Sequence, residues 1–360
     1  MRNLGAATRT LRTGFLGFLV ACVIVIATPA TTASQLTWID TSDRDAVIDA
    51  FEAEYSNPIP DIGWIGGDLE SCEAGISSQG YRRLTIRRVN YYRAMAGVVA
   101  GVVEDYGYSQ LAHETAMMMS AQNELSHDPS PDYRCYSQDG HTGAANSNLY
   151  LGRSGPRAID GYIEDPGDSN TDVGHRSTIL HPPTKRMGVG NVAASDNGRE
   201  ANALWVFDDQ VFGETNNEAR PRVREDRRFV AWPPRGFVPR ELVYPRWSIT
   251  MADADFSEAN VTMFRHFDEA PGLVALNVVD RVGAPGHVPL PAIVWEPEID
   301  PSADEDTYYT VIVRDIKAPD GRSTIPPITY TVKVLGAEPA NLRSTPDVLG
   351  AVGRINMSNL

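Results

Sequence analysis

The chain carries seven histidines, His113, His127, His141, His175, His181, His266 and His287. A neutral imidazole near pH 7 can ligate a metal or carry a proton, so these are the first places to look for chemistry. His113-Glu114 opens like a His-Glu-x-x-His zinc signature, but the residue four after His113 is Met117. The second ligand on that helical face is therefore missing. No Gly-x-Ser-x-Gly elbow, phosphate-binding loop or dinucleotide fingerprint is present. A looser set remains: Leu125-Ser126-His127-Asp128-Pro129, Asn146-Ser147-Asn148-Leu149 and Gly174-His175-Arg176. His127 and His175 each fall where a helix should meet a loop, a place where scaffolds present side chains to ligands. The acidic loop Glu296 to Asp306 lacks the Asp-x-Asp-x-Asp-Gly spacing of a calcium site and reads as a solvated loop.

The elements that must hold these residues follow from periodicity. A short helix is expected around Asp45 to Glu54. Ile86, Val89, Tyr92 and Ala96 recur at helical spacing and predict an amphipathic helix from Arg82 to Val103. A second helix starts near Ser109 as N-cap, with Met117 to Met119 as core filler. Pro156 suits the first turn of a third helix, Ala158 to Asp165, and Asp172 can cap a fourth that ends at Pro182-Pro183. Met187 to Ala193 and Ala201 to Phe207 flank Ser195-Asp196-Asn197-Gly198 as a hairpin. The charged stretch from Gly213 to Arg228 has no apolar period and reads as a linker. Strands then dominate: Ala259 to Phe264, Leu273 to Val279, Ala292 to Trp295, Thr307 to Val313 and Ile328 to Leu335, a spacing that suggests a β-sandwich.

The chain has 360 residues with 42% hydrophobic and 22% charged, values of an ordinary folded protein, and its length suits two domains. A net charge of −15 argues against nucleic acid and anionic membranes as partners. Residues 1–33 read as a signal peptide: Arg2, Arg9 and Arg12, then an uncharged run from Gly14 to Ala27 too short to span a membrane, then small residues. This predicts a secreted or cell-envelope protein. The rival reading is a lipoprotein anchored through Cys22 in Leu19-Val20-Ala21-Cys22. Without Cys22 two cysteines remain, Cys72 and Cys135, which an oxidising compartment would pair.

Four motifs in one order resemble the CAP superfamily, the group of cysteine-rich secretory proteins, antigen 5 and pathogenesis-related proteins, in its bacterial secreted form. Val89-Asn90-Tyr91-Tyr92-Arg93-Ala94 looks like the family's Asn-x-x-Arg helix, and His127 matches the His of its Ser-His element. His175 matches its Gly-His-Arg element, and Met187-Gly188-Val189-Gly190 resembles its Val-Gly strand. The resemblance implies an α-β-α sandwich with two His and two acids in a central cleft that sometimes holds zinc. Here Ser147-Asn148 stands where the family has Glu-Asn, so one carboxylate is lost. The second acid corresponds to Asp165, or else to Glu164. His127, His175 and one acid would still make a three-ligand open zinc site; equally, the two histidines would only hydrogen-bond across a polar cleft. His141 is a candidate replacement for the lost group. Trp232-Pro233-Pro234, Pro239 and Arg246-Trp247-Ser248 resemble the start of an Ig-like segment.

The expected organisation is α+β: signal peptide 1–33, N-terminal extension 34–80, CAP region 81–215, linker 216–230, β-sandwich 231–338 and a flexible tail 339–360. The function that follows is extracellular binding of an unknown ligand (protein, lipid or envelope component) without a fixed enzymatic activity. The alternatives are a metal- or His-dependent hydrolase, protease or nuclease, and a lipid or sterol carrier.

Overall fold

Asp43 accepts hydrogen bonds from the amides of Asp45 and Ala46 and so starts α1, Arg44–Glu54. The computed structural model describes residues 37–196, 198–212, 228–266, 270–282 and 289–336. The expected signal peptide, the tail, His287 and most of the linker lie outside these residues. Val230, placed in the linker, already belongs to a strand.

Ser78 caps α2, Gln79–Met95, which ends well before Val103. Ala96 closes the helix and Gly97 follows at φ 74°, a left-handed exit that glycine takes without steric cost. The chain then enters β1, Val103–Glu104. The next helix, α3, is Tyr106–Gln122, capped by Asp105 and not by Ser109. Ser109 sits inside the helix, where its Oγ donates to Glu104 and accepts from the Val189 amide. Met117, Met118 and Met119 are buried as expected.

Among the elements that went unforeseen are α4, Gln138–Ala145, and β2, Ser147–Leu151. The first is a short, glycine-containing turn held by its Ser137 cap, and the second is half polar, so neither shows a periodic signal. α5, Gly155–Glu164, has Pro156 in its first turn and stops at Asp165 in the left-handed conformation, φ 55°. α6 is Gly174–Ile179. The expected hairpin forms β3, Arg186–Val192, against β4, Ala201–Trp205, and α7, Asp209–Phe212, follows.

The first sheet has the order β1-β3-β4-β2. Its Leu149, Val192, Ala201 and Ala203 pack with α3, while Met187, Val189 and Leu204 pack with α2 and α5, giving helix layers on both faces. α3 approaches closely because Gly188 and Gly190 face it: a Cβ on Gly190 would lie 2.1 Å from the Ala112 backbone. Cys72 and Cys135 are joined, Cα atoms 5.1 Å apart, tying the segment before α2 to the segment before α4.

From Val230 the regular elements among the described residues are strands apart from one short 3-10 turn: β5 Val230–Trp232, β6 Gly236–Val238, β7 Trp247–Thr250, β8 Asn260–Arg265, β9 Gly272–Val274, β10 Leu276–Val282, β11 Ala292–Pro297, β12 Thr307–Arg314 and β13 Ile328–Val334. The first three are too short to show in the sequence, and the strand expected over Leu273 to Val279 divides into β9 and β10. They form two sheets, β10-β11-β7-β5 and β6-β13-β12-β8-β9. The sheets meet through Trp247, whose ring lies 6.0 Å from Tyr309, and through Trp295, whose Nε1 donates to Met263. One apolar cluster runs without a break from Val89, Tyr92 and Leu204 to Trp232, Trp247 and Val311. Among the described residues no helix is long and apolar enough to cross a membrane.

Candidate functional site

β2, the loop after α3 and the loop joining α5 to α6 enclose a half-open cavity of about 340 Å³. His127 and His175 both line it, with Asp165, Tyr150, Tyr162, Ser126, Ser169 and Asn170. His127 sits in the turn after α3, and its Nδ1 donates to the Ala144 carbonyl at 2.9 Å, which fixes the proton there and leaves Nε2 as an acceptor.

His175 is the second residue of α6, and its Nδ1 donates to Asp165 Oδ1 at 2.7 Å. Asp165 is fully buried, and its Oδ2 accepts from the Arg176 amide at 3.3 Å. Burial alone would lower the pKa of His175. The hydrogen bond and charge of Asp165, joined by the charge of Asp172, outweigh burial and hold it above the ordinary value. Asp172 is itself raised, mainly by burial. The Tyr162 ring lies 5.5 Å from the His175 ring, and its hydroxyl donates to Asn202 Oδ1 at 2.8 Å.

The other sequence candidates take different places. Glu164 offers its carbonyl to Arg176 Nη2, and its side chain is not part of the cavity wall. Asn148 donates to the His175 carbonyl at 3.2 Å and to Thr178 at 3.0 Å, so it braces α6 against β2. Ser147 is buried with its Oγ unpartnered. His141 pairs with the exposed Asp128 at 3.0 Å and does not line the cavity.

The donor set does not suit a three-ligand zinc site. Two imidazole nitrogens remain, but Asp165 is committed at both oxygens and inaccessible. Among the described residues no group of three or more His, Cys, Asp and Glu is arranged to hold a metal ion.

Two arrangements escaped the sequence. Ser77 and His113 meet: the Ser77 amide donates to His113 Nε2 at 2.9 Å, and His113 Nδ1 donates to the Ser109 carbonyl at 2.6 Å. Ser77 is 0% and His113 1% exposed, so this Ser–His contact is structural. Burial, aided by the charge of Arg82, lowers the His113 pKa to about 4. The second is Arg246, just before β7. Its Nη1 donates to the carbonyls of Asp165, Gly167 and Asn170 at 3.0, 2.8 and 3.0 Å, and its Nε to Glu296. Arg176 Nη1 adds a bond to Ser248 Oγ at 3.0 Å. The Arg246-Trp247-Ser248 motif was visible in the sequence, but its partners lie about 80 positions away.

Residues 86–208 match the family model described as CAP, the cysteine-rich secretory protein family. No curated protein matches. Among solved structures, the secreted serine protease VesC from Vibrio cholerae aligns at 9% identity over 52% of this chain and 45% of its own, with a TM-score of 0.18. The alignment thus spans less than half of that protein, and a likeness this low carries no argument.

Proposed function

We propose that the CAP-type region is the ligand-binding part of a secreted protein, and that the cavity between β2 and the α5–α6 loop binds an extracellular ligand without converting it. Residues 1–33 act as a signal peptide, and the two-sheet region over 231–338 serves as an Ig-like domain that braces the site. The observation that carries this reading is the cavity shared by His127 and His175, with the Asp165 carboxylate spent on orienting one imidazole. An imidazole whose pKa is held above the ordinary value, beside two tyrosines, suits polar recognition.

The test is a fragment screen by ligand-observed NMR on the exported protein, repeated on His127→Ala and His175→Ala. Hits that bind the wild type and are lost in both variants support the reading. Hits indifferent to both histidines overturn it.

The Asp165–His175 pair also favours a second reading, hydrolysis with His175 as proton carrier, since a buried carboxylate orients a catalytic imidazole in the same way. Quenched fluorescent peptides separate the two. Turnover present in the wild type and abolished in His175→Ala would replace binding with catalysis. Stoichiometric zinc in purified protein would contradict the donor set described above.

A further inference from the structure

β2 is the last strand of its sheet. In its ladder with β4 the Val206 amide donates to the Asn146 carbonyl, and the Gly152 amide to the Glu200 carbonyl. Hydrogen-bonded pairs in an antiparallel ladder recur every second residue. With Asn148 opposite Leu204 and Tyr150 opposite Asn202, those two residues turn their backbone groups toward β4. Leu149 and Leu151 then turn theirs to the other side, where no strand lies among the described residues, although the Leu151 carbonyl accepts from Arg199 Nη2 at 3.5 Å. Among the described residues no hydrogen bond reaches the Leu149 amide or carbonyl on that side.

The cavity is on that side as well. Leu149, Tyr150 and Leu151 all line it. Successive side chains of a strand point to opposite faces, so three in a row meet one cavity only where it wraps the strand's edge. The packing agrees: Leu149 and Leu151 pack in the α3 cluster, while Tyr150 stacks edge-on against Tyr162 of α5. His127, bonded to α4, and His175, beside Tyr162, therefore flank the edge from the two faces of the sheet.

We propose that the cleft takes an extended peptide, which joins the sheet as a further strand beside β2. Its backbone bonds to the Leu149 amide and carbonyl and to the Leu151 amide, and its side chains alternate between the His127 side and the His175–Tyr162 side. An unpaired edge offers main-chain bonds for affinity, and the flanking pockets supply selectivity. The proposal rests on the cavity being a ligand site and names what that ligand is.

The experiment uses the isotope-labelled full chain and a library of acetylated, amidated pentapeptides randomised at every position. A matched library carries an N-methyl group on every residue, which removes the donors that strand pairing needs on both edges. The expected result is that the first library slows exchange of the Leu149 and Leu151 amides about tenfold or more and the methylated one does not. Leu151→Pro removes one donor at an edge position where proline is tolerated, and should weaken binding about tenfold, whereas Leu151→Ala should not. If that variant fails to fold, the comparison of libraries on the unaltered chain decides alone. Peptides that shift the His127 and His175 ring signals while leaving both amides unprotected would overturn strand pairing and leave the cavity a ligand site. Equal protection by the methylated library, or no effect of either library, would also overturn it, and the fragment screen then judges the cavity independently.

Discussion

A single carboxylate sets the state of the cleft. Asp165 holds His175 above its ordinary pKa against the pull of burial, so Asp165→Asn should move the His175 titration, followed by NMR of the ring protons, below the ordinary value. A titration unchanged in Asp165→Asn would remove Asp165 from the site. Stability takes the opposite sign at two other histidines. His113 is lowered to about 4 by burial and the charge of Arg82, and His181 to about 3 by burial and the charge of Arg93. A depressed folded pKa stabilises above the unfolded value near 6.5, and that contribution is lost as pH falls through the folded value. His175, being raised, acts in the opposite direction over the same range. Urea denaturation at pH 7 and pH 4 should therefore show a net loss on acidification, with His113 alone worth roughly 3 kcal/mol. A His113→Asn variant should flatten that dependence. At this scale the sequence was partly legible. Histidine is rare enough to be noticed, and its neighbours supplied the motif, so His127, His175 and Asp165 could be named. Asn90 and Arg93 proved structural: Asn90 bonds to both backbone groups of Val102, and Arg93 donates to the carbonyls of Ile179, His181 and Thr184. The Ser77–His113 contact joins residues 36 apart with no local pattern to announce it.

Elements hold the cleft by close approach and by one cation. Gly190→Ala would drive a Cβ into the Ala112 backbone, forcing α3 away from the sheet at a cost of about 2 kcal/mol in chemical denaturation. Arg246→Ala would leave the Asp165 carbonyl without its donor, while those of Gly167 and Asn170 keep the Asn170 and Val173 amides, costing about 2 kcal/mol. Faster amide exchange should then be confined to residues 167–170, with the His175 titration displaced. Arg246→Lys should recover only part of this, because an ammonium lacks the guanidinium fork. Unchanged exchange in Arg246→Ala would show that the loop is held without it. Helices with an apolar face were readable from their spacing, to within a turn at α1 and α5. α2 was overextended because apolar residues continue past Gly97, and β5 to β7 were missed because three or four residues are too few for alternation to register.

At the scale of the molecule, the Cys72–Cys135 bond closes a separation of 63 residues, which the chain-entropy model values at about 4 kcal/mol. The paired Cys72→Ser, Cys135→Ser variant should melt at a markedly lower temperature, while peptide mapping of untreated protein should recover the two cysteines cross-linked. The unbroken apolar cluster predicts one calorimetric transition for the whole chain, and two resolved transitions would contradict it. The same cluster orders events in time. The Phe237 amide donates to the Thr41 carbonyl, and Arg44 pairs with Asp306 at 2.7 Å, 262 positions further on. A ribosome delivers Arg44 long before Asp306, so the start of the first helix waits for almost the latest residues, while its far end can meet α2 early through Glu54 and Arg87. Completion of this protein is thus an event that follows synthesis, and until then the start of its first helix is a half-docked end that a chaperone or a protease can hold.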